Sequence, residues 1–320
     1  MPRHVLLLTV ALLLPAVGAW AQEVREHELP DLEEDVGTLD HVKLRLTLAN
    51  RFVGSADFGS FDATSNQPEG RLRVDFPVTK NAAVRVMATG RALLYDFDGS
   101  TDGFGSGDDP FDGLYSAGLR LQAGYLFDEG RTLFSDDERW GLVVQGGARS
   151  SWEGGSNAAD GLRGGGSLAA GYRLGDTLEV VAGFTLGNRL TRGGVAVGPL
   201  LEFDWRINDA WKLRSYGLGL QLERRLGERF TVFARARLEG SRYRLADRGG
   251  EVGKGTLSVR QLPAALGVDW RIWRALKFRL LAGAIAYHRL QLRNENHDDM
   301  GRVTADGASP YVTLRIDLRH

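Results

Sequence analysis

Between residues 216 and 245 polar and apolar positions alternate with a period of two, on either side of Leu226-Gly227-Glu228-Arg229. On the first arm Leu218, Leu220 and Leu222 share one parity, and Gly219, Gln221, Glu223 and Arg225 take the other. On the second arm Phe230, Val232, Ala234, Ala236 and Leu238 alternate with Thr231, Phe233, Arg235, Arg237 and Glu239. A period of two sorts the two sets onto opposite faces of a strand, whereas a helix would need 3.6. The short connection predicts a tight hairpin turn, and each arm is about the ~9–11 residues that a tilted strand needs to cross a bilayer. A water-soluble sandwich would alternate as well, but its strands usually run to only ~5–6 residues. The hairpin therefore predicts a membrane-spanning unit.

The same pattern fills most of the chain. Leu44, Leu46 and Leu48 oppose Lys43, Arg45 and Thr47; after a polar loop through Asn66 and Pro68, Leu72, Val74, Phe76 and Val78 oppose Arg71, Arg73 and Asp75. Thr79-Lys80-Asn81 makes a short turn into Val84, Val86 and Ala88, and an acidic, glycine-rich loop follows over residues 96–113. Further strands are expected over 118–127, 140–150, 167–174, 177–186 and 195–207, with a glycine-rich loop around Ser156. Past the opening hairpin and a polar loop through Arg248, Leu262 to Trp270 and Phe278 to Ala284 alternate again, and a last polar loop over 294–307 precedes the closing strand. Short and long connections take turns, as in barrels with periplasmic turns and outer loops. The expectation is an all-β fold, a transmembrane antiparallel up-and-down β-barrel of about 14 strands, or 12 if the short segment 211–215 does not form its own pair. Tyr125, Phe127, Trp140, Trp205, Trp211, Trp270 and Trp273 all fall beside the short connections, where an aromatic girdle would sit.

Composition sharpens the class. The chain has 320 residues, with 42 Gly, 9 Pro and a quarter of its residues charged. That is too polar for a helical membrane protein, but it suits a barrel in which half of each strand faces a wet lumen. A formal net charge of -1 gives no pull toward nucleic acid. The absence of cysteine removes disulfides, thiolate metal sites, cysteine nucleophiles and a lipid-carrying cysteine. At the N-terminus Arg3 and His4 precede an apolar run, and Ala19-Trp20-Ala21 offers a small-x-small cleavage site, so residues 1–21 read as a secretory signal peptide. Residues 22–40 are acidic and aperiodic, an expected periplasmic leader or a lumen plug, and residues 41–320 hold the barrel.

In the final strand Val312, Leu314, Ile316 and Leu318 hold alternate apolar positions, and this segment resembles the C-terminal assembly signal of bacterial outer-membrane proteins. His320 stands where that signal usually ends in phenylalanine, so the resemblance departs at its last residue. With the signal peptide and the girdle, the chain is similar to an uncharacterised porin-like family of outer-membrane β-barrels. The resemblance implies the outer membrane of a Gram-negative-type bacterium, reached by a cleaved signal peptide. It also implies contact with outer-membrane lipid, lipopolysaccharide and the barrel assembly machinery, and no cofactor.

The lumen-facing parity is rich in cations: Lys43, Arg45, Arg71, Arg73, Arg85, Arg120, Arg173, Arg235, Arg237, Lys277, Arg279 and Arg315 are the expected pore-lining set. A field of that sign concentrates anions. The opposing expectation is that these groups pair with Asp75, Glu202, Asp204, Glu223, Glu239, Asp269 and Asp317 and fill the lumen. The functional expectation is a porin-like pore or binding barrel for small solutes, anions included. Its alternatives are a non-conducting scaffolding barrel and an outer-membrane lipid-modifying enzyme. Asp96, Asp98, Asp102, Asp108, Asp109 and Asp112 form an acidic loop lacking the glycine and closing glutamate of a helix-loop-helix calcium site, so no metal is expected. His288 shares the parity of Ala284 and Ala286, which predicts a lipid-facing interfacial position and no catalytic partner.

Overall fold

The computed structural model describes residues 41–101, 110–111, 113–127, 138–175, 177–188, 190, 194–247 and 254–320. The signal peptide, the acidic leader, and Asp102, Asp108, Asp109 and Asp112 of the acidic loop lie outside them. The strands are β1 (Lys43–Asp57), β2 (Phe61–Thr79), β3 (Ala82–Gly99), β4 (Leu114–Leu126), β5 (Glu138–Glu153), β6 (Leu162–Leu174), β7 (Leu178–Asn188) and β8 (Val195–Arg206). They continue as β9 (Trp211–Ser215), β10 (Gly219–Arg225), β11 (Phe230–Arg237), β12 (Glu239–Arg244), β13 (Thr256–Arg271), β14 (Leu276–Arg293), β15 (Asp299–Thr304) and β16 (Ser309–Arg319). β11 and β12 pair with β13 in one unbroken register, Phe230 opposite Trp270 and Arg244 opposite Thr256, so they are one strand. β15 and β16 likewise follow one another along β14. The wall is therefore a closed antiparallel barrel of 14 strands, shut by β1 against β16, where His320 and Leu44 exchange backbone hydrogen bonds.

Alternation decides which way each side chain points. Leu44, Leu48, Phe52, Leu72, Phe76, Leu119, Leu121, Val197, Leu266, Leu314 and Ile316 are exposed on the outside. On the inside Thr47, Asp75, Arg85, Gln122, Gln145, Gln221, Asp269 and Asp317 are buried. Apolar outside and polar inside inverts a soluble core and is what a hydrocarbon environment requires. Tyr125, Phe127, Trp140, Trp270 and Trp273 are exposed beside the short connections, and Trp205 and Trp211 are half-buried there.

Several strands run further than alternation predicts. Asn66 and Pro68, expected in a loop, lie within β2, with Pro68 opposite Asn50 of β1. Asp96 and Asp98, expected in the acidic loop, are still in β3 opposite Thr64 and Asp62. The polar residues 299–304, also expected in a loop, form β15. His288 is the clearest correction. Gln261 pairs with His288 but Pro263 pairs with Ile285, so β14 carries an extra residue and the parity flips. His288 thus points inward and is 1% exposed, against the expected lipid-facing position.

The wall has one break. β9 pairs with β8 only from Asp204 to Arg206, and the hairpin turns back at once into β10. Beyond it, β8 from Val195 to Leu201 has no strand partner on that side among the described residues. β12 stays paired with β13 along its length, and its outer end also meets β5, where Arg244 bridges to Trp152 and the backbone N–H of Ala246 donates to Glu153 at 2.7 Å. A notch is left in the outer half of the wall between β8 and β12.

Inside the lower half, the Phe233 ring lies over Gly267 and beneath the Arg279 guanidinium, 4.7 Å from its centroid. A Cβ on Gly267 would collide with that ring. We expect Gly267→Val to destabilise the barrel by about 1–3 kcal/mol through overpacking. Urea unfolding of Gly267→Val in a Phe233→Ala background checks it, since there the cost should largely vanish.

Candidate functional site

The lumen is layered. Near the short turns a ladder of ion pairs runs round the wall: Arg85 and Arg73 hold Asp75 at 2.5 and 2.7 Å, and Arg279 and Lys277 hold Asp269 at 2.5 and 2.6 Å. Arg315 and the Thr47 hydroxyl hold Asp317 at 2.9 and 2.5 Å, Arg214 reaches Glu223 at 3.1 Å, and Lys212 reaches Asp204 at 2.7 Å. Arg73–Asp75 and Arg315–Asp317 lie along one strand, and the other pairs link neighbouring strands, the sheet equivalent of helical side-chain pairs. Glu202 instead accepts the backbone N–H of Gly217 at 2.7 Å, which pins the short hairpin.

The outer end is sealed by apolar side chains. Phe58, Phe61, Leu93, Phe111, Leu114, Tyr243, Leu257, Leu290 and Leu292 form one buried cluster, joined by Tyr95 and Phe97. The rings of Phe58 and Phe61 stack at 5.1 Å, and Phe97 meets Phe111 edge-on at 5.1 Å. His288 sits at the base of this cluster, with its Nε2 3.1 Å from both the Tyr95 hydroxyl and the Gln261 amide. The inward turn of β12 makes the seal possible, because it carries Tyr243 and Leu245 across the lumen.

Between the ladder and the seal lies a chamber of about 250 Å³. Among the described residues its wall carries seven arginines, Arg51, Arg71, Arg91, Arg120, Arg149, Arg163 and Arg237, against two carboxylates, Glu69 and Glu239. Glycine makes the room: Gly147, Gly165 and Gly187 stand opposite one another on β5, β6 and β7, at lumen-facing positions where side chains would otherwise fill the space. Arg149 and Arg163 face each other directly across β5 and β6. Their guanidiniums are also oriented by neighbours, Arg149 donating to Ser116 Oγ at 2.9 Å and Arg163 to Ser151 Oγ at 3.2 Å. Arg91 donates to Gln67 at 2.6 Å, and Arg237 stacks on Tyr216. Arg51 and Glu239 form a bidentate pair at 2.8 and 3.2 Å that spans the lumen from β1 to β12. The chamber also reaches Leu218, Leu238 and Asn188, which border the notch.

Of the twelve cations expected along the lumen, Arg71, Arg120 and Arg237 line the chamber, and Arg73, Arg85, Lys277, Arg279 and Arg315 belong to the ion-pair ladder. Arg173 donates to the Gly175 carbonyl beside a turn, and Arg235 faces Tyr311. Lys43 and Arg45 occupy the start of β1, level with Asp75 and Arg73 of β2. Arg51, Arg91, Arg149 and Arg163 lie at or beyond the strand ends that alternation alone draws, so they escape that reading. Continuing the parity of Arg85 and Thr89 past Gly90 would have found Arg91, and that of Lys43 and Arg45 would have found Arg51.

A closed antiparallel barrel, apolar outside and polar inside, with aromatic residues beside the short turns, has the architecture of transmembrane β-barrels. No family model and no curated protein matches this sequence. Among solved structures, an outer membrane channel from Pseudomonas putida F1 is similar with a TM-score of 0.46 at 11% identity, over 92% of this chain and 100% of that one. A FadL homologue from Pseudomonas aeruginosa gives 0.42 at 11% identity, over 95% and 97%. The translocator domain of the autotransporter NalP from Neisseria meningitidis gives 0.33 at 10%, over 90% and 92%.

Proposed function

We propose that this barrel binds and passes a small anionic solute, held in the central chamber while the outer mouth is shut. The observation that carries the reading is the chamber's excess of guanidinium over carboxylate among the described residues, seven against two, in a space sized for a small ligand. Guanidiniums are planar forks that meet carboxylate or phosphate with two bonds at once, and a low-dielectric wall strengthens each of them. The notch favours a second reading, in which the ligand is an anionic amphiphile that enters sideways with its apolar part still in the bilayer.

Calorimetric titration of the folded, detergent-solubilised barrel with small carboxylates and phosphates, against uncharged analogues of the same size, tests the first reading. We expect binding of the anions only, weakened about tenfold or more by Arg149→Glu, which corresponds to a loss of about 1.4 kcal/mol. Equal affinity for the uncharged analogues would sink it. Binding of long-chain carboxylates with no binding of short ones would select the amphiphile.

A further inference from the structure

Outside the barrel, at the outer end of β12 to β15, a second group of arginines has no part in the lumen. Leu257, Val259, Leu290 and Leu292 point into the apolar seal, so the alternate residues Ser258, Arg260, Arg289, Gln291 and Arg293 point outward. Arg242, Ser258, Gln291 and Arg302 form one row across four strands, with Arg260 and Arg289 directly below it and Arg293 above. Ser258 and Gln291, at the centre, are 7% and 6% exposed, covered on a face that otherwise looks outward.

The charges of this patch are poorly balanced. Arg260 stands directly opposite Arg289, the arrangement that destabilises a strand pair. The Arg260 side chain has neither a hydrogen bond nor an ion pair among the described residues, and the buried Nε of Arg293 has no hydrogen-bond partner. Among the described residues the carboxylate in hydrogen-bond contact is Asp299, which accepts from Gln291 at 2.7 Å and from Arg302 at 3.0 Å. Arg242 Nε donates to Ser258 Oγ at 2.9 Å, which leaves the hydroxyl proton free to point at an acceptor.

The height of the patch identifies what meets it. Trp270 of the girdle and Arg260 lie on the same strand, ten residues apart. At ~3.3 Å per residue and a tilt near 40°, that is about 25 Å along the barrel axis, the height of the lipid-facing apolar band. Between them Ala264 and Leu266 face the lipid, as do Ala282 and Ala286 on β14. The arginines therefore begin where hydrocarbon gives way to headgroups.

We propose that the outer face of β12 to β15 is a binding site for the phosphate groups of an outer-leaflet lipid of the lipid A type, seated between Arg260, Arg289, Arg293 and Arg302 over Ser258 and Gln291. The phosphate supplies the negative charge that the Arg260 and Arg289 pair lacks, and the acyl chains continue down the apolar band. The site is independent of the chamber.

The test is native mass spectrometry of the folded full barrel with bisphosphorylated lipid A, with the same lipid dephosphorylated, and with inorganic phosphate. We expect retention of the bisphosphorylated lipid and about tenfold weaker retention in Arg260→Ser/Arg289→Ser, the change that about 1.4 kcal/mol produces. In phosphate-free detergent the same variant should unfold no earlier than the parent, because a repulsive pair has been removed. Equal retention of the dephosphorylated lipid would overturn the proposal. So would inorganic phosphate binding as tightly as the lipid, and so would a variant that retains lipid A unchanged.

Discussion

Replacing Glu239 by alanine is expected to lower barrel stability by roughly 3–5 kcal/mol, the range seen when one partner of a buried ion pair is removed. The pair with Arg51 joins strands that are not neighbours, since β16, β14 and β13 lie between β1 and β12 along the wall. It therefore ties β12 across the lumen, where no backbone ladder to β1 can do so. Glu239 also faces the charges of Arg237 and Arg91, so its loss removes one negative charge from beside three guanidiniums. Two readouts separate structure from chemistry. Urea unfolding should show the loss in both Glu239→Ala and Arg51→Ala, with the double variant costing clearly less than the sum. Anion affinity in the chamber should move in opposite directions, tighter in Glu239→Ala and weaker in Arg51→Ala. Midpoints within about 0.5 kcal/mol of the parent would mean that the pair does not hold β12 in place.

Much of this architecture is legible as parity. Because a strand's side chains alternate strictly, spacing alone puts the cations from Lys43 to Arg315 on one parity of their strands, and the turn at Gly227, whose φ is 98°, could be placed from its sequence. Strand ends were not legible, for a physical reason. Toward the outer end the outward face of a strand meets polar surroundings, so Asn66, Pro68 and residues 299–304 look like loop although their backbones stay in the ladder. A bulge is also invisible to parity, and one extra residue in β14 was enough to turn His288 from the lipid into the lumen. The chamber depended on a further fact that spacing does not encode, namely that the hairpin of β9 and β10 stops halfway and lets β12 swing inward. Its only trace in the sequence is the brevity of the segment 211–215.

The apolar seal leads to the second large effect. Phe61 and Tyr243 lie on opposite sides of the cluster, on β2 and β12, and are 3% and 1% exposed. Truncating both to alanine removes two rings from the outer end of the lumen at about 3–5 kcal/mol each, a local cost because the ion-pair ladder and the ring of strand pairs below are untouched. In planar bilayers under a salt gradient, the parent barrel is expected to give no stable steps along its axis. The Phe61→Ala/Tyr243→Ala barrel is expected to conduct. Since any ion entering through the opened mouth must cross the arginine chamber, the reversal potential should favour anions, and adding Arg120→Glu and Arg149→Glu should shift it toward cations. Free conduction by the parent would show that the cluster does not close the mouth. A conducting variant without anion preference would show that the chamber's charge is neutralised within the wall, and the anionic ligand would then have to be abandoned in favour of an uncharged one that reaches the chamber through the notch between β8 and β12.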